Sequence, residues 1–334
     1  MSYLIIGLAG QTLTDQERLW LSHPCVGGAI FFKRNWQSPE QVMQLAQAVR
    51  DCCPGALLMI DQEGGRVQRF GTPLATLPPL ASLGQVFDQS PSQAAALARA
   101  HGELMASEIL SLGIDLSLAP VLDLNAGSEV IGDRAFHAET FAVETLAKAY
   151  RSGMREAGMA ACGKHFPGHG TVVPDTHVAD ATDPRSLEEL LATDLRPFAA
   201  AIADGIEGLM LAHVVYPEVC ARPAGFSRAW IQDVLRERLA FDGVVISDDL
   251  GMRAAHQAGG FGQRVEASLE AGCDLLLVCR PDDVQQVMAT DLPDRPTNPR
   301  RLERLRGRVN RPAWASLATS ARHQELKEQL ACLT

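Results

Sequence analysis

Short apolar, β-branched runs recur along the chain, each bounded by glycine, proline or a charge. They read YLIIGLAG (3–10), VGGAIFF (26–32), ALLMIDQE (56–63), IDLSLAPVLDLN (114–125), ACGKHFPG (161–168), LMLAHVVYP (209–217), GVVISDD (243–249) and CDLLLVCR (273–280). Runs of this length, apolar almost throughout, predict strands buried on both faces. Between them lie stretches such as 39–52, 91–113, 138–158 and 227–239, whose apolar residues recur at three and four. That spacing predicts helices with one buried stripe each.

Eight strands alternating with helices predict a single-domain α/β fold, a (β/α)8 TIM barrel with a parallel sheet. No GxGxxG follows the first strand, so a dinucleotide fold has little support. Past Arg280 the pattern weakens, and a proline-rich stretch, LPDRPTNP, leads into a helical segment. The expected organisation is a catalytic barrel over 1–290 and a C-terminal helical extension over 291–334 docked on it.

Composition narrows the function. Apolar residues make up 46% of the 334 and charged residues 21%, an ordinary globular balance. The net charge of −10 argues against a general nucleic-acid binder, and the seven arginines from Arg295 to Arg311 read as a solvated surface. No segment reaches the ~18 apolar residues of a membrane span. The first residues, MSYLIIGLAGQTL, lack the basic region of a secretory signal. Eight cysteines show no CxxC spacing, and Cys162, Cys273 and Cys279 sit in apolar runs, which suits free thiols in a reducing compartment. The expectation is a cytoplasmic protein, monomeric by default.

In such barrels the chemistry sits where strands end. Gathered there are Asp61, Glu63, Asp123, Lys164, His165, His213, Asp248 and Asp249. One zinc-hydrolase reading takes Asp61, His165, His169, His213 and Asp248 as ligands. No HxH or HExxH spacing supports it, and Lys164 and the arginines oppose a cation. The competing reading is cleavage of a sugar. One group must attack the anomeric carbon while another protonates the leaving oxygen. Asp248 ends a buried strand, where a carboxylate is held rigidly. Alternation puts Asp249 on the opposite face, in a structural role.

The elements DQEGGRVQRF (61–70), IGDRAF (131–136), GKHFPGHGTVVPDTH (163–177), LMLAHVVYP (209–217) and FDGVVISDDLGM (241–252) together resemble the β-N-acetylglucosaminidases of glycoside hydrolase family 3. The resemblance is to the single-domain bacterial type used in peptidoglycan recycling and runs in order from about Leu4 to Arg280. It implies a retaining hydrolase on a (β/α)8 barrel, without metal or other cofactor. The implied substrate is a muropeptide, with terminal β-linked N-acetylglucosamine removed from GlcNAc-1,6-anhydroMurNAc. Carried over by motif, Asp248 is the nucleophile, His177 the acid/base and Asp175 its partner. The sugar-binding set is Asp61, Arg69, Arg134, Lys164 and His165. One departure is Gly7, where the family usually shows an aspartate in a D-x-x-G arrangement.

Asp175 and His177, two apart, share a side if that stretch is extended. A carboxylate beside one ring nitrogen orients the imidazole and favours its protonated form, leaving the other nitrogen to donate to the leaving oxygen. Gly168, Gly170 and Pro174 mark this stretch as a loop, with His169 a loop-holding partner. Two other readings stay open. A phosphorylase on the same site fits a neutral imidazole base, which does not repel phosphate as a carboxylate would. A barrel that only senses muropeptide would need neither Asp248 nor the Asp175–His177 pair.

Overall fold

A computed structural model of the protein describes residues 2–171, 181–295, 297–307 and 312–333. Eight strands form its centre: β1 (Leu4–Gly7), β2 (Val26–Phe31), β3 (Leu57–Ile60), β4 (Leu116–Ser117), β5 (Cys162–Phe166), β6 (Gly208–Leu211), β7 (Val244–Asp249) and β8 (Leu275–Val278). They pair in the order β4-β3-β2-β1-β8-β7-β6-β5, every pair parallel. Every residue of β1, β3, β5, β6 and β8 is buried. A parallel sheet with helices outside and packed side chains inside requires this, which is why these strands read as unbroken apolar runs.

The seam between β4 and β5 is closed by the chain that follows β4. Val121 bridges Lys164 in parallel, and the Leu122 N–H donates to the Lys164 carbonyl at 2.7 Å. The expected run 114–125 thus yields a strand of only two residues. Pro120 has no N–H to give a ladder, so regular pairing stops before it and resumes as a bridge beyond it. The fold is the (β/α)8 barrel that the alternating pattern predicts.

Two other expected strands divide. After β3 the chain folds into an antiparallel hairpin, Gln62–Gly64 against Val67–Gln68. Residues 209–217 split into β6 and an outer strand, Val214–Tyr216, which pairs with Ala181–Thr182 and Cys220–Pro223.

Helices form where the three–four spacing predicts them, at Pro39–Cys52, Pro91–Ser111, Thr140–Ala157 and Ala229–Arg238, the last with π-type winding. Their ends have local causes. Ser38 accepts from the Gln41 N–H with Pro39 in the first turn, and Gly158 ends the third helix at φ 93°. Further helices at Leu80–Gln89, Leu195–Ala203, Phe261–Ala271 and Pro281–Met288 complete the outer layer.

The C-terminal helix Ala321–Leu330 lies on Pro91–Ser111. There His323 Nε2 meets Glu108 Oε1 at 2.8 Å, with both side chains buried. No helix among the described residues is long and apolar enough to cross a membrane.

Candidate active site

The carboxyl ends of the strands open into a cavity of about 550 Å³. Its apolar lining comes from Ile30, Phe32, Leu118, Met210, Met252 and Leu277, among others. Polar groups face it from the ends of β3, β5 and β7, from the hairpin that follows β3 and from the turn Gly132–Arg134.

The polar lining holds an ionic array. Lys164, on β5 and 2% exposed, places Nζ 2.7 Å from Asp61 Oδ1 and 2.6 Å from Glu63 Oε1. Arg69 Nη2 reaches Asp61 Oδ2 at 3.0 Å. Arg134 grips Glu63 with both Nε and Nη2 at 2.8 Å. Burial alone raises a carboxyl's proton affinity, but here the cations outweigh it. Lys164 and Arg69 hold Asp61 well below the usual carboxylate range. Arg134 and Lys164 bring Glu63 down to about 2. Burial disfavours the Lys164 ammonium, yet Asp61 and Glu63 raise its proton affinity overall. Asp61, Glu63 and Lys164 therefore stay charged around neutrality.

Beside the array, Asp123 fixes His165. Its Oδ2 lies 2.7 Å from His165 Nδ1, and its carboxylate also accepts the backbone N–H groups of His165 and His169. With Nδ1 turned to Asp123, Nε2 points the other way and lies 3.5 Å from Arg134 Nη2. Burial and His165 lower the proton affinity of His169, which also lines the cavity.

Asp248 and Asp249 both line this cavity. The expectation that Asp249 turns to the opposite face is corrected here. Pairing between β7 and β8 shifts register between Ile246 and Asp249, so strict alternation fails at the strand's end. Asp249 also has a holding role, its Oδ1 accepting from the N–H groups of Gly251 and Cys279 at 3.0 Å. His213 does not reach the cavity lining. It is buried face to face with Phe226, ring centroids 5.1 Å apart, and burial lowers its proton affinity.

All five expected sugar-binding residues, Asp61, Arg69, Arg134, Lys164 and His165, line the one cavity with Asp248. Asp175 and His177 lie outside the described residues. Glu63, expected at a strand end but outside the sugar-binding set, joins the same ionic array. The signal was there: its position two residues after Asp61 puts both carboxylates at the same edge of the barrel mouth.

The Gly7 departure also has a packing account. A Cβ at that position would fall 2.0 Å from the Cys279 carbonyl oxygen and 2.9 Å from Arg34 Nη2. Arg34 fills this space, donating to the carbonyls of Leu8 and Cys279 at 2.6 Å each. Only glycine fits beside it.

Comparisons with known proteins agree with this geometry. The family model described as the glycosyl hydrolase family 3 N-terminal domain matches residues 6–298. A β-hexosaminidase of Stenotrophomonas maltophilia (strain R551-3) is 50% identical over 328 residues, covering 98% of this chain and 97% of that protein. A β-hexosaminidase of Xanthomonas oryzae pv. oryzae (strain MAFF 311018) is 52% identical over 284 residues, 85% of each chain. The crystal structure of NagZ from Neisseria gonorrhoeae, in complex with N-trifluoroacetyl-D-glucosamine, superposes with a TM-score of 0.92. It is 39% identical and covers 99% of this chain and 98% of that one. The chain belongs to glycosyl hydrolase family 3 and is a glycoside hydrolase of the β-N-acetylhexosaminidase kind.

Proposed function

We propose, from the premise of a family 3 β-N-acetylhexosaminidase, that the protein cleaves terminal β-linked N-acetylglucosamine with retention of configuration. The natural substrate is a GlcNAc-1,6-anhydroMurNAc muropeptide of cell-wall recycling, and the compartment is the cytoplasm. The observation that carries this reading is Asp248, half-buried at the end of β7 and facing the same cavity as the array of Asp61, Arg69, Arg134, Lys164 and His165.

Each part has a chemical task. Lys164 has three N–H donors, of which two go to Asp61 and Glu63, leaving one for a sugar hydroxyl. Asp61 accepts one charged donor on each oxygen and keeps acceptor capacity toward the cavity. Such groups are fixed before substrate arrives, so little reorganisation is needed on binding.

Asp248 attacks the anomeric carbon as a carboxylate. The Asp249 N–H, 2.8 Å from its Oδ1, orients that oxygen and leaves Oδ2 to react. His177, with Asp175 as its partner in this reading, gives a proton to the departing oxygen and then takes one from the water that releases the sugar.

A direct test compares chromogenic N-acetyl-β-glucosaminide with the matching β-glucoside. The reading requires the first to be cleaved far faster, because a site with dedicated polar partners penalises a substrate that leaves them unmet. Equal rates on the two would contradict it.

A further inference from the structure

The reaction just described gives Glu63 no task, yet this is the most heavily engaged carboxylate in the cavity. It stands on the Gln62–Gly64 arm of the hairpin and is 1% exposed. Its Oε1 accepts Lys164 Nζ at 2.6 Å and Arg134 Nη2 at 2.8 Å, and its Oε2 accepts Arg134 Nε at 2.8 Å.

We propose that Glu63 is a positioning residue for the sugar site: a shared counter-ion that holds Arg134 and Lys164 where the terminal sugar needs them. This rests on the function proposed above and adds to it a residue that acts through two others.

Three observations support the assignment. The first is acceptor capacity. Three of the roughly four acceptor sites of the Glu63 carboxylate are taken by charged donors. Asp61, with one partner per oxygen and 14% of its side chain exposed, is the better placed of the two to meet a hydroxyl. The pair divides into a sugar-facing carboxylate and a supporting one.

The second is repulsion. Lys164 comes from β5 and Arg134 from the short turn Gly132–Arg134, and the Arg134 guanidinium opposes the charge on the Lys164 ammonium. Two cations brought to one buried carboxylate repel each other, and a single anion between them neutralises both. Glu63 contacts both at once. Its bidentate grip on Arg134 also sets the plane of the guanidinium, which a single-point contact would not do.

The third is redundancy of the scaffold. The hairpin is tied to the same turn by a separate residue, Arg66. It donates through Nε to Asp133 at 3.0 Å and through Nη2 to the carbonyls of Glu129, Val130 and Ile131. Loss of the Glu63 charge therefore leaves hairpin and turn attached. What it releases is the direction of the two cations.

The test is a double-mutant cycle on sugar binding, using Glu63→Gln, Arg134→Gln and the double variant. Inhibition by N-acetylglucosamine and the kcat and KM for an aryl N-acetyl-β-glucosaminide are measured for each. Each single variant should raise the inhibition constant at least ~10-fold, since a buried charged donor or acceptor is left unmet. The double variant should bind about as weakly as the worse single one, because both substitutions break the same interaction. In Glu63→Gln the loss should fall mainly on KM.

An unchanged inhibition constant in Glu63→Gln, or losses that multiply in the double variant, would overturn the proposal. Should Glu63→Gln not fold, Glu63→Asp keeps the charge but draws it back by one methylene. A folded Glu63→Asp with wild-type affinity would overturn the proposal equally. If the wild-type protein neither binds N-acetylglucosamine nor cleaves its glycosides, the failure lies with the proposed function. If it does both and only the coupling is absent, the failure is confined to Glu63.

Discussion

Asp249 donates its backbone N–H to Oδ1 of Asp248 at 2.8 Å, while its own carboxyl, lining the same cavity, has its proton affinity raised to about 6. Burial is the main cause. The N–H groups of Gly251 and Cys279 oppose it only in part, and the charges of Asp248 and Asp283 add to it.

That raised affinity gives a stability prediction with a definite sign. Between about 4 and 6 the folded state holds this proton more tightly than the unfolded state does. The stabilisation from protonation is complete below that window and lost as pH rises through 6. Asp249→Asn keeps the oxygen that accepts both N–H groups but carries no charge. It should be more stable than the wild type at pH 8, by at most about 3 kcal/mol. The difference should vanish near pH 4. Thermal unfolding of both proteins at the two pH values checks this, and an unchanged gap between them would contradict it.

His177→Ala should cost in proportion to how badly the leaving group needs a proton. We expect a ~10²–10⁴-fold loss on a glycoside of an unactivated alcohol. An activated phenol, which departs without protonation, should be affected far less in the bond-breaking step. Asp175→Ala should follow the same trend more mildly. Rates on a series of leaving groups of graded acidity check this, and an equal loss across the series would remove His177 from the acid role.

Exhaustive chelation should leave activity unchanged. Lys164, Arg69 and Arg134 crowd the polar side of the cavity with positive charge, which disfavours a divalent ion beside Asp61 and Asp248. Assays before and after dialysis against a strong chelator test this. Loss of activity restored by zinc would revive a metal-dependent reaction.

Much of this architecture is legible in the sequence because burial leaves a plain mark. Strands packed on both faces, such as Leu57–Ile60 and Leu275–Val278, read as apolar runs, and the ionisable groups just beyond them mark the barrel mouth. What resists reading is set by non-local pairing. Arg134 meets Glu63 across 71 residues, and no local pattern announces that contact. Strict alternation puts Asp249 on the opposite face, but it presumes an unbroken ladder, and the register shift after Ile246 breaks it. Gly7 departs from the aspartate usual at that place. Its meaning depends on Arg34, which is distant in sequence and fills the space beside it.

The central claim is a covalent step on Asp248, and one measurement meets it head on. The protein is incubated with a slow 2-fluoro glycoside substrate, digested, and its peptides weighed. The account predicts a single glycosyl adduct on Asp248, absent from Asp248→Ala, and released product with the β configuration retained. An adduct on Asp249, or an inverted product with no adduct at all, would contradict it.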